Sequence, residues 1–375
     1  MKSAQRGAAT VAITLLLAFV ILLSVAFAHR SVVFEARTST NQYRAAQAHE
    51  AAEAGIAWAL AQLNNSTPLG DDCLPSNDPS ALPFRERSIE AMRAHCTESG
   101  NGWACRCAAA ASSNSAALGF SIGVATTDNP DTLQLTSTGS SSSVHAQLQI
   151  RLGRLPGLDT LPAAALTVRG AASFSAGGFD IRHTSVATGG LTLHSGGPAE
   201  ITALRLTSTP GTPASVSVLS HEAQLAQLTT AGLFASVFRM SREAWRAQPV
   251  AQALDCSGPC DTTLLQAAAQ HQLIWLRGGL RLETPAVLGT PERPVLLVAD
   301  GPIELHAAAV IHGLVYATDT RWIDTAGATI HGAVIVEGDL QASGTTQIRH
   351  DAAVLDALHQ RTGSYARVPG SWRDH

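Results

Sequence analysis

Residues 8–28 read AATVAITLLLAFVILLSVAFA, twenty-one positions without a charge. As a helix this run is about 31 Å long at roughly 1.5 Å per residue, the thickness of a bilayer's hydrocarbon core. Only MKSAQRG precedes it, and Lys2 and Arg6 in that leader favour a cytoplasmic N-terminus. Ala26-Phe27-Ala28 has the small-x-small form of a secretory cleavage site, but the apolar run exceeds the roughly 7–15 residues of an ordinary signal. A cut after Ala28 would release a soluble protein; a cut after Gly7 would keep the helix.

The helical pattern does not stop at Ala28. Ala52, Ile56, Leu60 and Leu63 recur on one helix face, and Asn64-Asn65-Ser66-Thr67-Pro68 ends it with turn formers. One helix from Ala8 to Leu63 is expected, its first half suited to lipid and its second to docking on a globular domain. A short polar leader, a glycine and a long apolar helix together resemble type IV prepilins. Gln5-Arg6-Gly7-Ala8-Ala9 resembles the start of PilX-type minor pilins, and Gln47-Ala48-His49-Glu50-Ala51-Ala52-Glu53-Ala54-Gly55-Ile56-Ala57 resembles their A-x-E-A-G segment. Taken alone, an Ala/Glu-rich stretch is only a good helix surface.

The resemblance implies cleavage between Gly7 and Ala8 by prepilin peptidase and methylation of the new N-terminus. It also implies partners: other minor and major pilins through the helix, an inner-membrane assembly platform, and a tip adhesin. Before assembly the chain would be a single-pass inner-membrane protein with a periplasmic C-terminal domain, and afterwards part of a pilus or the cell surface. One position departs from the family. The fifth residue after Gly7 is Ala12, where major pilins carry the glutamate thought to recruit the next subunit. A carboxylate in a bilayer is costly and persists only with a role, so its loss points to a tip or initiating subunit, as in the K-type pseudopilins that also lack it.

The remaining composition fits an exported chain. Of 375 residues 14% are charged and 5% aromatic, with net charge −4, which gives no footing for nucleic-acid binding. Six cysteines favour disulfides outside the cytoplasm. Cys256 and Cys260 are expected to pair across a Gly-Pro turn. Cys105 and Cys107 are poorly placed to bond each other, so Cys73 and Cys96 should join them in one of two ways. A metal site from His95, Cys96, Cys105 and Cys107 is disfavoured because structural zinc uses C-x₂₋₄-C spacing. No cofactor or metal is expected.

Phe120–Ala125, Leu133–Ser137 and Val144–Ile150 alternate apolar and polar residues between turns, which predicts a three-stranded antiparallel meander. By the resemblance, residues 8–152 would complete a pilin-like fold. Gly119-Phe120-Ser121-Ile122-Gly123 matches G-x-S-x-G, but a nucleophile elbow needs a strand-to-helix turn and the sequence continues as strand.

Beyond Pro156 the chain is rich in Gly, Ser, Thr and short β runs. Pro294–Val298, Gly313–Ala317, Gly332–Val336 and Asp351–Leu355 begin at 19-residue intervals, and AVIHG at 309–313 is nearly repeated as ATIHG at 328–332. Such a period suits the coils of a parallel β-helix. The register predicts a column of His312, His331 and His350. Stacked like residues are usually packing devices in solenoids, although such a column could hold a metal or an anionic glycan. Glu304, Asp324 and Asp339 are scattered with respect to the repeat, so the paired acids of glycoside hydrolysis are not evident.

The sequence thus predicts an α+β protein: leader 1–7, helix 8–63, a pilin-like part 64–155 with disulfides and a small antiparallel sheet, a mostly β parallel β-helix-like domain 156–360 with a helical insertion near 225–248, and a tail 361–375. The expected role is a non-enzymatic minor pilin displaying its β-helix at a tip. The alternative is a secreted β-helix protein that binds or degrades polysaccharide, cleaved after Ala28.

Overall fold

The computed structural model describes residues 6–78, 80–100, 102–108, 117–175 and 178–374. Helix α1 runs unbroken from Arg6 to Leu63, 58 residues. No proline interrupts it, and Gly55 is its first glycine after Gly7. Its C-terminal half buries Ala48, Ala51, Ala52, Ile56, Ala59 and Leu63, which share one helix face, against an antiparallel sheet. At its end the Asn64 side chain donates to the carbonyl of Tyr365 at 2.9 Å and accepts from its N–H at 2.8 Å. These two bonds pin the helix to the C-terminal strand.

The predicted meander forms the middle of that sheet as Gly119–Thr126, Thr132–Ser141 and Val144–Pro156. Arg93–Ser99 and Gly102–Cys107 extend one edge as a hairpin. Gly363–Arg367 completes the other, antiparallel to Leu152–Pro156. Helix and sheet approach so closely because small residues meet. A Cβ built on Gly139 would lie 1.9 Å from the carbonyl oxygen of Ala48, and one on Gly55 would lie 2.2 Å from the Ser137 hydroxyl.

Between Pro156 and Gly363 the chain builds a parallel solenoid. In one coil Val295–Asp300 lies on the first side, Ile303–Leu305 on the second, and the start of Ala309–Ala317 on the third. That strand bends at Gly313, so its second half pairs with Val295–Ala299 one coil back. Gly313 has φ 152°, and a Cβ there would sit 1.7 Å from the Val295 carbonyl oxygen; Gly332 makes the same corner one coil later.

The coils are not uniform. Gly313 pairs with Gly332, but Val295 pairs with Gly313 and Thr329 with Gln347, steps of 18 rather than 19 residues. The fourth predicted strand is instead a helix. Asp351 Oδ1 accepts from the N–H groups of Ala353 and Val354 at 3.0 and 3.2 Å, capping a helix, Ala352–Arg361, whose Val354, Leu355 and Leu358 face inward. The helical stretch near 225–248 resolves into three short helices: α2 (Ala223–Gln227), α3 (Thr230–Phe238) and α4 (Arg242–Arg246), with Thr229 and Ser241 capping the second and third.

Coil order in space differs from order in sequence. Leu166–Val168, the first solenoid strand, pairs with Val334–Val336 of the last coil. From there the chain winds outward to Val218–Leu219. Helices α2–α4 carry it back along the outside, and it restarts at Ala251–Asp255 at the opposite end, winding inward until Gln347–His350 pairs with Asp180–Arg182. Phe234, Phe238 and Trp245 of the returning helices pack on Trp275 and Tyr316 of the sheet beneath. Arg242 of α4 is tied to the buried Glu337, which also accepts from the Tyr316 hydroxyl at 2.5 Å.

Gly313→Ala should lower the stability of the solenoid by about 3 kcal/mol, since a methyl there meets backbone on the neighbouring coil. Glu337→Ala should cost about 3–5 kcal/mol by leaving the Arg242 cation without its buried partner. Denaturant titration of the full chain in detergent, followed by tryptophan fluorescence, reads both.

Candidate functional site

The first half of α1 is an exposed apolar rod. Leu15, Phe19, Leu22 and Phe27 are each more than half exposed, and the helix is long and apolar enough to cross a membrane by length and composition. Two of its hydroxyls bond back to the helix. Thr14 donates to the carbonyl of Thr10 at 3.0 Å and Ser24 to that of Val20 at 2.8 Å, so neither offers an unpaired polar group to lipid. Ala12 lies on this rod, and the first acidic residue after it is Glu35. Leader residues 1–5 lie outside the described residues, while Gly7 and Ala8 belong to the first turn of α1. The helix continues through Ala28 without a break.

The six cysteines form three disulfides: Cys73–Cys107, Cys96–Cys105 and Cys256–Cys260. Cys96 and Cys105 face each other across the hairpin, and Cys73–Cys107 ties the loop after α1 to the same edge. Their sulfurs are therefore committed, and among the described residues no group of three or more His, Cys, Asp or Glu could hold a metal ion. Ser121 sits mid-strand, paired with His95 on one side and Thr138 on the other, with no helix following.

The histidine column is shorter than the repeat suggested. His312 and His331 are paired across adjacent coils, with ring centroids 4.8 Å apart and planes 13° from parallel. The 18-residue step then puts Arg349, not His350, beside His331, and Arg182 beside Arg349. The ladder is thus His312, His331, Arg349, Arg182. His350 moves one place along, to the corner opposite Gly332. There it stacks on His183 at 3.7 Å, with Nε2 3.0 Å from the carbonyl of Pro162. His183, fully buried, has Nδ1 2.7 Å from the Leu191 carbonyl and Nε2 2.6 Å from the Thr188 hydroxyl. Burial holds both rings below the ordinary histidine range, and for His350 the neighbouring His183 adds to it. Burial does the same to His331, helped by His312 and Arg349.

The scattered carboxylates serve the coils. Asp324, buried, accepts from the N–H groups of Ala326, Gly327 and Ala328 and from the Thr346 hydroxyl. Asp339 accepts from Ala171 N–H at 2.8 Å. Glu304 lies on an outer face 3.7 Å from Arg321 and 4.0 Å from Arg281. Glu337 and His183 escaped the sequence reading altogether, because Arg242 reaches Glu337 through the returning helices and His350 reaches His183 through the reordered coils.

An exposed apolar helix whose second half docks on an antiparallel sheet defines a pilin-like protein. Residues 6–57 match the family model described as PilX N-terminal, which makes this segment similar to the start of those proteins. No curated protein matches the chain. Among solved structures it is similar to the competence-associated pilin ComZ from Thermus thermophilus, at 12% identity over 88% of this chain and 97% of that one, with a TM-score of 0.25.

Because burial lowers these histidines in the folded state, the unfolded chain binds protons first as pH falls. The stability held above the unfolded value, about 6.5, is therefore lost as pH drops below it toward the lowered folded values. The thermal midpoint of the full chain should fall between pH 7 and pH 5, and His183→Gln should flatten that dependence.

Proposed function

We propose that the chain is a non-enzymatic minor subunit of a type IV pilus-like machine. Prepilin peptidase would cut it after Gly7, leaving Ala8 as the N-terminus. It would wait in the inner membrane with its C-terminal part in the periplasm and join the fibre through α1, guided by the assembly platform. The observation that carries this reading is the division of α1: an exposed, uncharged, lipid-length half continuous with a half sealed against the sheet, in a segment matching the PilX model. Ala12 supports a tip or initiating position, since a shaft subunit would need a recruiting carboxylate there. The solenoid would face outward, to touch a surface or a tip adhesin.

Two measurements test this. The mature N-terminus, read by mass spectrometry, should be Ala8; His29 would make the chain a secreted protein and Met1 a permanent anchor. Residues 157–362 form an insertion whose ends meet, so joining Pro156 to Gly363 through a short glycine linker should leave the pilin-like part folded and piliation intact while attachment is lost. Unchanged attachment would remove the display role.

A further inference from the structure

Where the solenoid meets the small sheet lies a cavity of about 350 Å³, in the range of small-ligand pockets. Three arginines line it from separate parts of the chain: Arg85 after α1, Arg293 from the solenoid and Arg361 at the end of the helix Ala352–Arg361. Arg293 has a carboxylate partner, Glu86 at 3.4 Å. Arg361 donates to the carbonyl of Glu292 at 3.2 Å, and Arg85 donates to the carbonyl of Arg361 at 3.2 Å. Neither of these two lies within ion-pair distance of a carboxylate among the described residues. Burial lowers the pKa of Arg85, with Tyr365 and Glu86 opposing the shift and the like charges of Arg154 and Arg293 adding to it, so a further anion would offset the cost of burying this cation. Its guanidinium lies 5.7 Å from the centre of the Tyr365 ring, which gives the cavity an aromatic wall.

The rest of the lining narrows the ligand. Glu86 and Glu292 put two carboxylates beside three cations, which disfavours a multiply charged phosphate or sulfate. They are instead good acceptors for hydroxyl groups, and the amides of Gln272 and Gln360 add further polar partners. We propose that this crevice binds an acidic sugar: its carboxylate between Arg85 and Arg361, its ring against Tyr365, and its hydroxyls on the glutamates and amides. Planar guanidinium groups suit a carboxylate in this role. The site goes beyond the assembly role and does not depend on it. Because it spans both parts of the fold, occupancy would also brace the solenoid on the sheet.

Isothermal titration of the full chain in detergent micelles, with glucuronate, glucose, acetate and inorganic phosphate as probes, tests the proposal. Glucuronate should bind in the millimolar range or tighter and raise the thermal midpoint, with the other three at least about tenfold weaker. Arg85→Gln and Arg361→Gln should each weaken glucuronate about tenfold or more, while Arg349→Gln, outside the crevice, should not. Arg361 is exposed, so its variant keeps the test meaningful even if Arg85→Gln fails to fold. A methyl glucuronide that binds as well as the free acid would identify a glycan terminus as the source; one that does not would identify the free sugar acid. Absence of glucuronate binding, equal binding of phosphate or acetate, or indifference to both arginine substitutions would overturn it.

Discussion

The whole arrangement depends on one seam. Pro156 leaves the small sheet and Gly363 re-enters it as paired residues on neighbouring strands, and the N–H of Gly157 reaches the carbonyl of Thr362 at 3.4 Å. Anything inserted there must begin and end at the same place. A solenoid wound in one direction separates its ends by one strand spacing, about 4.8 Å, per coil and cannot meet that demand. The chain resolves the conflict by starting in the middle, winding out, returning over α2–α4 and winding back in, so that its first and last coils become neighbours. The buried aromatic layer and the Arg242–Glu337–Tyr316 cluster follow from this route, because the returning helices must seal a face the coils leave apolar. Seam residues are accordingly well tied: Arg154 bonds the carbonyl of His359 and the carboxylate of Asp131, and Trp245 Nε1 donates to the Gly157 carbonyl at 2.9 Å.

The second organising feature is that α1 serves two environments without changing its backbone. Its lipid-length half has no charged residue between Arg6 and Arg30, while its docking half sets Ala48 against Gly139 and Gly55 against Ser137 of the sheet. Small residues give close contact at little side-chain entropy cost. The disulfides Cys73–Cys107 and Cys96–Cys105 then hold the far edge of the sheet, where only a short hairpin closes it.

Legibility in the sequence followed locality. Helix α1, the central meander and the presence of parallel coils were readable because each rests on a short-range pattern. The coil step was misread by one residue at Val295 and at Gln347, since a repeat of apolar strands fixes the side of a coil but not the length of its turns. Asp351–Leu355 looked like a strand because its apolar residues fit both periods; the Asp351 cap decided for helix. His350 left the ladder for the same reason of register, and Arg349 took its place. The pairing of the first coil with the last had no local signal at all, and with it went the stacked His183, the strand Gly363–Arg367 and the arginine crevice at the junction.

In mechanical terms, the seam makes the solenoid a load hung from two cords rather than one. Tension applied to it enters the sheet through Pro156 and Gly363 together, at the same end of two hydrogen-bonded strands. The strands are drawn in the same direction, so neither slides past the other. From the second strand the pull passes through Tyr365 and Asn64 directly into the end of α1, the element that would pack among its neighbours in the proposed fibre.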